Sequence, residues 1–133
     1  MTYHDISLTV NSDLPVWPGH PQIAFDLTSD MNAGAKANIT RIALGVHTGT
    51  HLDAPLHFIR DGGDVTTRAL ETLIGPAQVV DANDAAVIDA TVLDSLSIHD
   101  DTERLLIKTR NSQLWSEART DFFTEFVAVN PSG

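Results

Sequence analysis

Apolar and polar residues alternate in several short segments of the chain, which is the pattern of β-strands with one buried face. Residues 5–10 (DISLTV) alternate in this way and predict an edge or first strand. Residues 12–21 (SDLPVWPGHP) are dense in proline and glycine, so they predict an ordered loop that carries Trp17. A second strand is predicted over residues 39–46, where the last three apolar residues lie two positions apart. This strand leads directly into the segment VHTGTHLDAPLHF.

The remainder of the chain predicts further short elements bounded by turn residues. Four are expected: a short helix over residues 66–73 that stops at Gly75-Pro76, a buried strand over residues 77–81, a short helix through Leu96, and a strand over residues 105–109. Either Asp89 or Thr91 is expected to cap the second of these helices. The apolar runs of residues 122–129 fit no single period.

Length and composition indicate an ordinary globular protein. A chain of 133 residues has the size of one domain, so a single domain over residues 1–133 is expected. Hydrophobic residues make up 42% and charged residues 20%, which argues against disorder. The formal net charge of −10 disfavours nucleic acid and anionic membrane surfaces as partners. A small-molecule substrate is the expected partner, on the grounds of the site chemistry given below.

The absence of cysteine limits the chemistry available to the chain. It excludes disulfides, thiolate nucleophiles and sulfur-ligated metals, so a bound metal must be held by imidazole and carboxylate groups. The first residues lack the basic stretch and apolar run of a secretion signal, and no apolar run has the length of a membrane span. A cytoplasmic protein is therefore expected.

Candidate chemistry is concentrated in the segment HTGTHLDAPLH, which contains His47, His51, Asp53 and His57. Glycine, β-branched threonines and proline disfavour a helix there, and in an extended chain these four odd-numbered positions share one face. A straight strand would still separate His47 from His51 by roughly 13 Å. We therefore expect a bulge or turn at Gly49 that folds the first two histidines toward Asp53.

Two imidazoles and a carboxylate with an open fourth position are the ligand set of a catalytic zinc site, and manganese is the alternative metal. Such an ion activates water and polarises a carbonyl, which favours hydrolysis of an amide, lactam or ester. His57 is expected to act as a proton shuttle beside the metal, or else to orient a ligand.

The other aromatic and imidazole side chains have simpler interpretations. Trp17 and Phe58 are more often core residues, although Trp17 on a proline-fixed loop could line an aromatic substrate pocket, and both residues are candidates for substrate binding. The remaining histidines are expected to be ordinary surface or loop residues, namely His4, His20 and His99.

The segment HTGTHLDAPLHF resembles the H-x-G-T-H-x-D-x-P-x-H-F signature of the cyclase family, which includes bacterial kynurenine formamidase, isatin hydrolase and polyketide-cyclase-like proteins. DIS, VWPGHP, IGPAQVVDA and LLIKTRNS are similar to other family elements, although His20 stands where Asp is commoner. The resemblance implies an α/β protein with the swivelling β/β/α fold and a mixed sheet. It also implies metal ligation by His47, His51 and Asp53, a catalytic His57, and dimers or larger homo-oligomers.

The sequence departs from the family at its carboxyl end, because family members are typically longer and carry further His and Glu residues there. In formamidase-like members those residues help to hold a second metal, whereas one metal suffices in isatin-hydrolase-like members. The resemblance implies a metal-dependent hydrolase of a formamide or cyclic amide, first of all an aryl-formamide as in tryptophan breakdown. The alternative is a shortened, non-catalytic member that binds metal or a small ligand. Missing elements would expose apolar surface, so an obligate homo-oligomer is expected.

Overall fold

A computed structural model describes residues 2–115 and 120–133 and places them in two compact units. The amino-terminal unit runs to Asp53 and includes Phe122, and the carboxyl-terminal unit begins at Ala54 and includes Phe123–Gly133. The α/β class is confirmed, with antiparallel and parallel pairing in two separate two-stranded sheets. The expectation of a single domain stays a prediction.

The amino-terminal unit contains an antiparallel hairpin of β1 (Ala24–Ser29) and β2 (Ile39–Ala43). Phe25 lies opposite Ile42, and the register shifts between Leu27 and Ser29. The connection includes a 3₁₀ turn over Met31–Ala33, which is capped by the side chain of Asp30.

The two faces of this hairpin differ in polarity. Phe25, Leu27 and Ile42 share one face, called here the apolar hairpin face, and their side chains are 43%, 52% and 58% exposed. The opposite face carries a pair between Arg41 and Asp26, whose Nη2 and Oδ2 atoms are 2.7 Å apart. The hairpin therefore presents an uncovered apolar surface.

The carboxyl-terminal unit contains the parallel pair of β3 (Gln78–Asp81) and β4 (Leu105–Lys108). Three short helices accompany it: α1 (Leu70–Leu73), α2 (Ala90–Ser95) and α3 (Asn111–Leu114). Its core is built from Ala82, Ile88 and Val127, against which Val92, Leu93, Leu96 and Ile107 pack. The connection from β3 to β4 carries α2, as parallel pairing requires a crossover.

Three predicted elements are present in the structure, with small differences from the prediction. Asp89, rather than Thr91, caps α2 by accepting a hydrogen bond from the Val92 amide at 2.9 Å. The strand predicted over residues 105–109 is β4, one residue shorter. The strand predicted over residues 77–81 is β3, but Val79 is 64% exposed and only Val80 is buried. The expectation of a fully buried strand was therefore wrong on one face.

The strand predicted over residues 5–10 was wrong, and β1 was not predicted at all. The amide of Ser7 donates to the Asp5 carboxylate, and the amide of Leu8 donates to Thr50 Oγ1. Because side chains satisfy these amides, residues 5–10 form no strand. The strand predicted over residues 39–46 ends at Ala43.

The helix predicted over residues 66–73 is divided in two. A 3₁₀ turn over Val65–Thr67 precedes α1, and the Asp64 side chain caps that turn. Hydrogen bonds from the Thr66 hydroxyl and amide hold the pKa of the Asp64 carboxyl below its ordinary value.

Within residues 122–129 the structure forms no helix, and Val129 makes a single parallel bridge with Ile88. Among the described residues, no helix is long and apolar enough to cross a membrane.

The Asp89 cap gives a direct test of the α2 boundary. Asp89→Ala should lower the free energy of unfolding by about 1 kcal/mol, because the Val92 amide loses its acceptor. Thr91→Ala, the matched control two residues further on, should change it by less than about 0.5 kcal/mol. Urea unfolding followed by circular dichroism measures both, and equal losses in the two variants would contradict the assigned cap.

Candidate metal centre

A tight loop follows β2 and carries the cluster of candidate ligands. Gly49 has a φ of 60°, a left-handed conformation that glycine adopts without the steric cost paid by other residues. Thr48 is buried, and its hydroxyl donates to the Gly45 carbonyl at 2.6 Å. Thr50 accepts a hydrogen bond from the Leu8 amide at 3.0 Å. The expected turn at Gly49 is therefore present, and neighbouring threonines fix the backbone on both sides of it.

The turn brings together three of the predicted site residues. His47 Nδ1 lies 3.3 Å from His51 Nε2 and 2.9 Å from Asp53 Oδ1, and His51 Nε2 lies 3.6 Å from the same oxygen. These donor atoms all lie within 4.8 Å of one another, a grouping of His and Asp that could hold a metal ion. The expected convergence of two imidazoles and one carboxylate is confirmed in geometry.

The distances between the three donor atoms fit a single ion. Ligands bound about 2.0–2.2 Å from one tetrahedral ion lie about 3.3 Å from each other. The observed separations of 2.9, 3.3 and 3.6 Å fall on either side of that value. The side chains of His47, His51 and Asp53 are 25%, 33% and 46% exposed, so solvent and a ligand can reach the cluster.

A hydrogen bond selects the ring nitrogen that His51 can offer to a metal. His51 Nδ1 lies 2.9 Å from the Gly49 carbonyl, which can only accept, so this nitrogen carries the proton and donates. The lone pair is then on Nε2, the atom that points at His47 and Asp53. The conformation of Gly49 thus places this imidazole and also sets its tautomer.

The other predicted site residues are described by their own surroundings. His57 belongs to the carboxyl-terminal unit, where it ends a 3₁₀ turn over Pro55–His57 and its ring centroid is 4.0 Å from that of Phe58. Phe58 is 86% exposed, so it is not a core residue. Trp17 packs edge-on against Phe122, with ring centroids 5.1 Å apart, and is 44% exposed. The catalytic role of His57 and the substrate-binding roles of Trp17 and Phe58 stay predictions.

Sequence reasoning missed a fourth imidazole near the cluster. The ring centroid of His20 lies 6.0 Å from that of His47, although His20 was expected to be an ordinary loop residue. It closes a turn in which its amide donates to the Trp17 carbonyl at 2.9 Å and Gly19 has a φ of 86°. Its placement at the family's Asp position was the one signal in the sequence that singled it out.

Substitution of Gly49 tests the dependence of the cluster on this turn. Gly49→Ala should cost about 1–2 kcal/mol of backbone strain. Its Cβ would also lie 3.1 Å from Leu14 Cδ2. Zinc affinity should fall, because the Gly49 carbonyl that positions His51 must move.

Gly45→Ala is the matched control in the same loop. Its Cβ would meet only Pro21 Cδ at 3.6 Å, an ordinary contact. Thermal melts with and without zinc measure both variants, and an unchanged zinc-dependent rise in Tm for Gly49→Ala would contradict the role of the turn.

The chain is similar to curated proteins of known name. The chain is 36% identical over 119 residues to a kynurenine formamidase of Erythrobacter litoralis, covering 89% of this chain and 54% of that protein. It is 31% identical over 105 residues to a kynurenine formamidase of Bacillus mycoides, covering 79% and 50%. The chain therefore spans about half the length of the curated relatives it matches.

A solved structure shares the fold. A protein of Bacillus stearothermophilus described as a "predicted metal-dependent hydrolase" superposes with a TM-score of 0.71 at 28% identity, covering 97% of this chain and 60% of the other. The α/β fold that the resemblance to the cyclase family implied is therefore shared with a protein described as a metal-dependent hydrolase. The family model Cyclase, described as "Putative cyclase", matches residues 4–131. The chain belongs to the Cyclase family.

Proposed function

We propose that the protein is a metal-dependent amide hydrolase that acts on a formamide or a cyclic amide, with an aryl-formamide as the first substrate to test. The observation that carries the proposal is the convergence of His47 Nδ1, His51 Nε2 and Asp53 Oδ1 at the spacing of ligands on one ion. The relatives named kynurenine formamidase support an aryl-formamide of tryptophan catabolism, and a cytoplasmic location belongs to the same proposal.

The donor set favours zinc, with manganese as the alternative metal. A bound divalent cation supplies Lewis acidity, which lowers the pKa of a coordinated water and polarises a carbonyl. Two neutral imidazoles and one carboxylate cancel a single charge of that cation, so the centre keeps a net positive charge. The partial exposure of all three ligand side chains leaves room for a substrate carbonyl to approach.

The remaining roles in this proposal are assigned to residues of the family signature and of the proline-rich loop. His57 would take a proton from the attacking water and deliver it to the leaving amide nitrogen, a task that imidazole groups often perform. Its backbone is held in the turn over Pro55–His57, where its amide donates to the Ala54 carbonyl at 2.9 Å. Trp17 and Phe58 supply aromatic surface for the substrate ring.

The second candidate function is a non-catalytic module that binds metal or a small ligand. It requires only the cluster of His47, His51 and Asp53, whose donor atoms could hold an ion without any proton-transfer group. Both functions allow the protein to bind metal, but only the hydrolase converts a substrate. Metal content and catalysis must therefore be measured on the same preparations.

The test combines elemental analysis with assays on N-formylkynurenine and isatin. His47→Ala and Asp53→Ala should lose bound metal and turnover together, because each removes one of three ligands. His57→Ala should keep its metal and lose about 10²–10⁴-fold in kcat. His99→Ala, a histidine of the carboxyl-terminal unit outside the proposed machinery, should change neither property.

The outcomes separate the two candidates. Undiminished metal in His47→Ala and Asp53→Ala would overturn the ligand assignment. Metal binding by the wild type without turnover on either substrate or on a wider amide and ester panel would overturn the hydrolase and support the binding module.

We further propose that a second copy of this chain covers the apolar hairpin face. The chain exposes 10337 Å². For comparison, the usual relation between mass and surface gives about 8,200 Å² in total for two separate globular proteins that each have half of this chain's mass of 14.4 kDa. The exposed area of this chain exceeds that reference area by more than the roughly 800 Å² that each partner buries in a typical stable interface. Because each copy carries a net charge of −10, copies repel unless they meet on an uncharged surface, and the side chains of this face are uncharged.

The oligomeric state tests this interface. Light scattering should give a dimer or larger oligomer for the wild type, and Ile42→Asp, which puts a charge on the face, should shift it to the monomer. Arg41→Gln changes the net charge by the same one unit on the opposite face and should leave the assembly intact. A monomeric wild type, or an Ile42→Asp variant that assembles as the wild type does, would overturn the interface.

A further inference from the structure

His20 lies beside the cluster in the same unit, and no part of the proposed function has used it. We propose that His20 is a fourth ligand of the cation held by His47, His51 and Asp53. This inference rests on the proposed metal site and adds to it a donor from a separate segment of the chain.

The turn that carries His20 fixes its backbone. Pro18 restricts its own φ, and Gly19 at a φ of 86° occupies the left-handed position of the turn. The His20 amide closes the turn on the Trp17 carbonyl at 2.9 Å. Trp17 in turn packs edge-on against Phe122. An ordered turn therefore holds the imidazole near the cluster at low entropic cost.

The ring positions are close to those required for shared coordination. Two imidazoles bound to one tetrahedral ion at about 2.0–2.1 Å have ring centroids about 5 Å apart. The centroids of His47 and His51 are 5.2 Å apart, and those of His20 and His47 are 6.0 Å apart with the rings tilted by 42°. The difference for this pair of rings is about 1 Å. His20 lies outside the group of donor atoms within 4.8 Å of one another, so its exposed side chain must rotate to reach the ion.

The chemistry of the added donor predicts its effect. A neutral imidazole leaves the net charge of the centre unchanged, whereas a carboxylate at this position would cancel one more unit of it. Imidazole nitrogen favours zinc over manganese, which prefers oxygen ligands. Zinc sites can expand to five ligands, so a fourth protein donor still permits water or a carbonyl to bind. His20 should thus raise both zinc affinity and zinc selectivity.

The experiment measures metal binding without turnover. Zinc affinity is determined by competition with a chromophoric chelator, and the visible spectrum of the cobalt-loaded protein reports the coordination number and geometry of the bound ion. His20→Ala should bind zinc about 10–100-fold more weakly than the wild type and should show an altered cobalt band. His20→Asp should recover part of the affinity through its carboxylate and shift the preference toward manganese.

His4→Ala is the matched control, since it removes an exposed histidine of the same unit and should leave affinity and spectrum unchanged. Thermal melts in chelator verify that the metal-free variants are equally folded. If His20→Ala binds zinc as the wild type does and gives the same cobalt spectrum, the fourth-ligand assignment is wrong while the three-ligand site stands. If the wild type binds neither zinc nor manganese, the proposed function itself fails.

Discussion

The positive φ of Gly49 is the constraint on which the candidate metal centre depends, because it turns the chain between the two histidines of the cluster. An extended backbone would hold His47 and His51 roughly 13 Å apart. With the turn in place, their facing nitrogens are 3.3 Å apart. The Gly49 carbonyl then accepts a hydrogen bond from His51 Nδ1, so the same residue that bends the chain also directs the Nε2 lone pair toward Asp53.

The surroundings of this turn explain why it is stable without regular secondary structure. Thr48 and Thr50 bond to backbone groups, and the latter ties the loop to the segment of Leu8. Because the Leu8 amide donates to Thr50, it cannot pair with a neighbouring strand, as a strand over residues 5–10 would require. The loop that carries the ligands is thus organised at the expense of a strand at the start of the chain.

Few side chains of the described residues are buried, and several exposed apolar side chains lie together on one face of the hairpin. Ala82, Ile88 and Val127 make a small core in the carboxyl-terminal unit, whereas the hairpin leaves Phe25 and Ile42 largely in solvent. An antiparallel pair can face water on one side, but a face of apolar residues costs free energy until something covers it. The cover proposed above would stabilise the unit that also holds the metal ligands.

The sequence by itself determined the features that depend on neighbours within a few residues. The turn at Gly49 and the meeting of His47, His51 and Asp53 arise from local backbone geometry, so residue type and spacing were sufficient to predict them. The same local signals limited the cap of α2 to Asp89 or Thr91, and the structure selected Asp89. The tertiary structure alone decided features that join distant segments. The approach of His20 to His47 and the packing of Trp17 on Phe122 each depend on chain closure over long separations, which leaves no periodic signal in either partner. The pattern of residues 39–46 predicted a strand, but the strand that pairs with it, β1, was evident only in the structure.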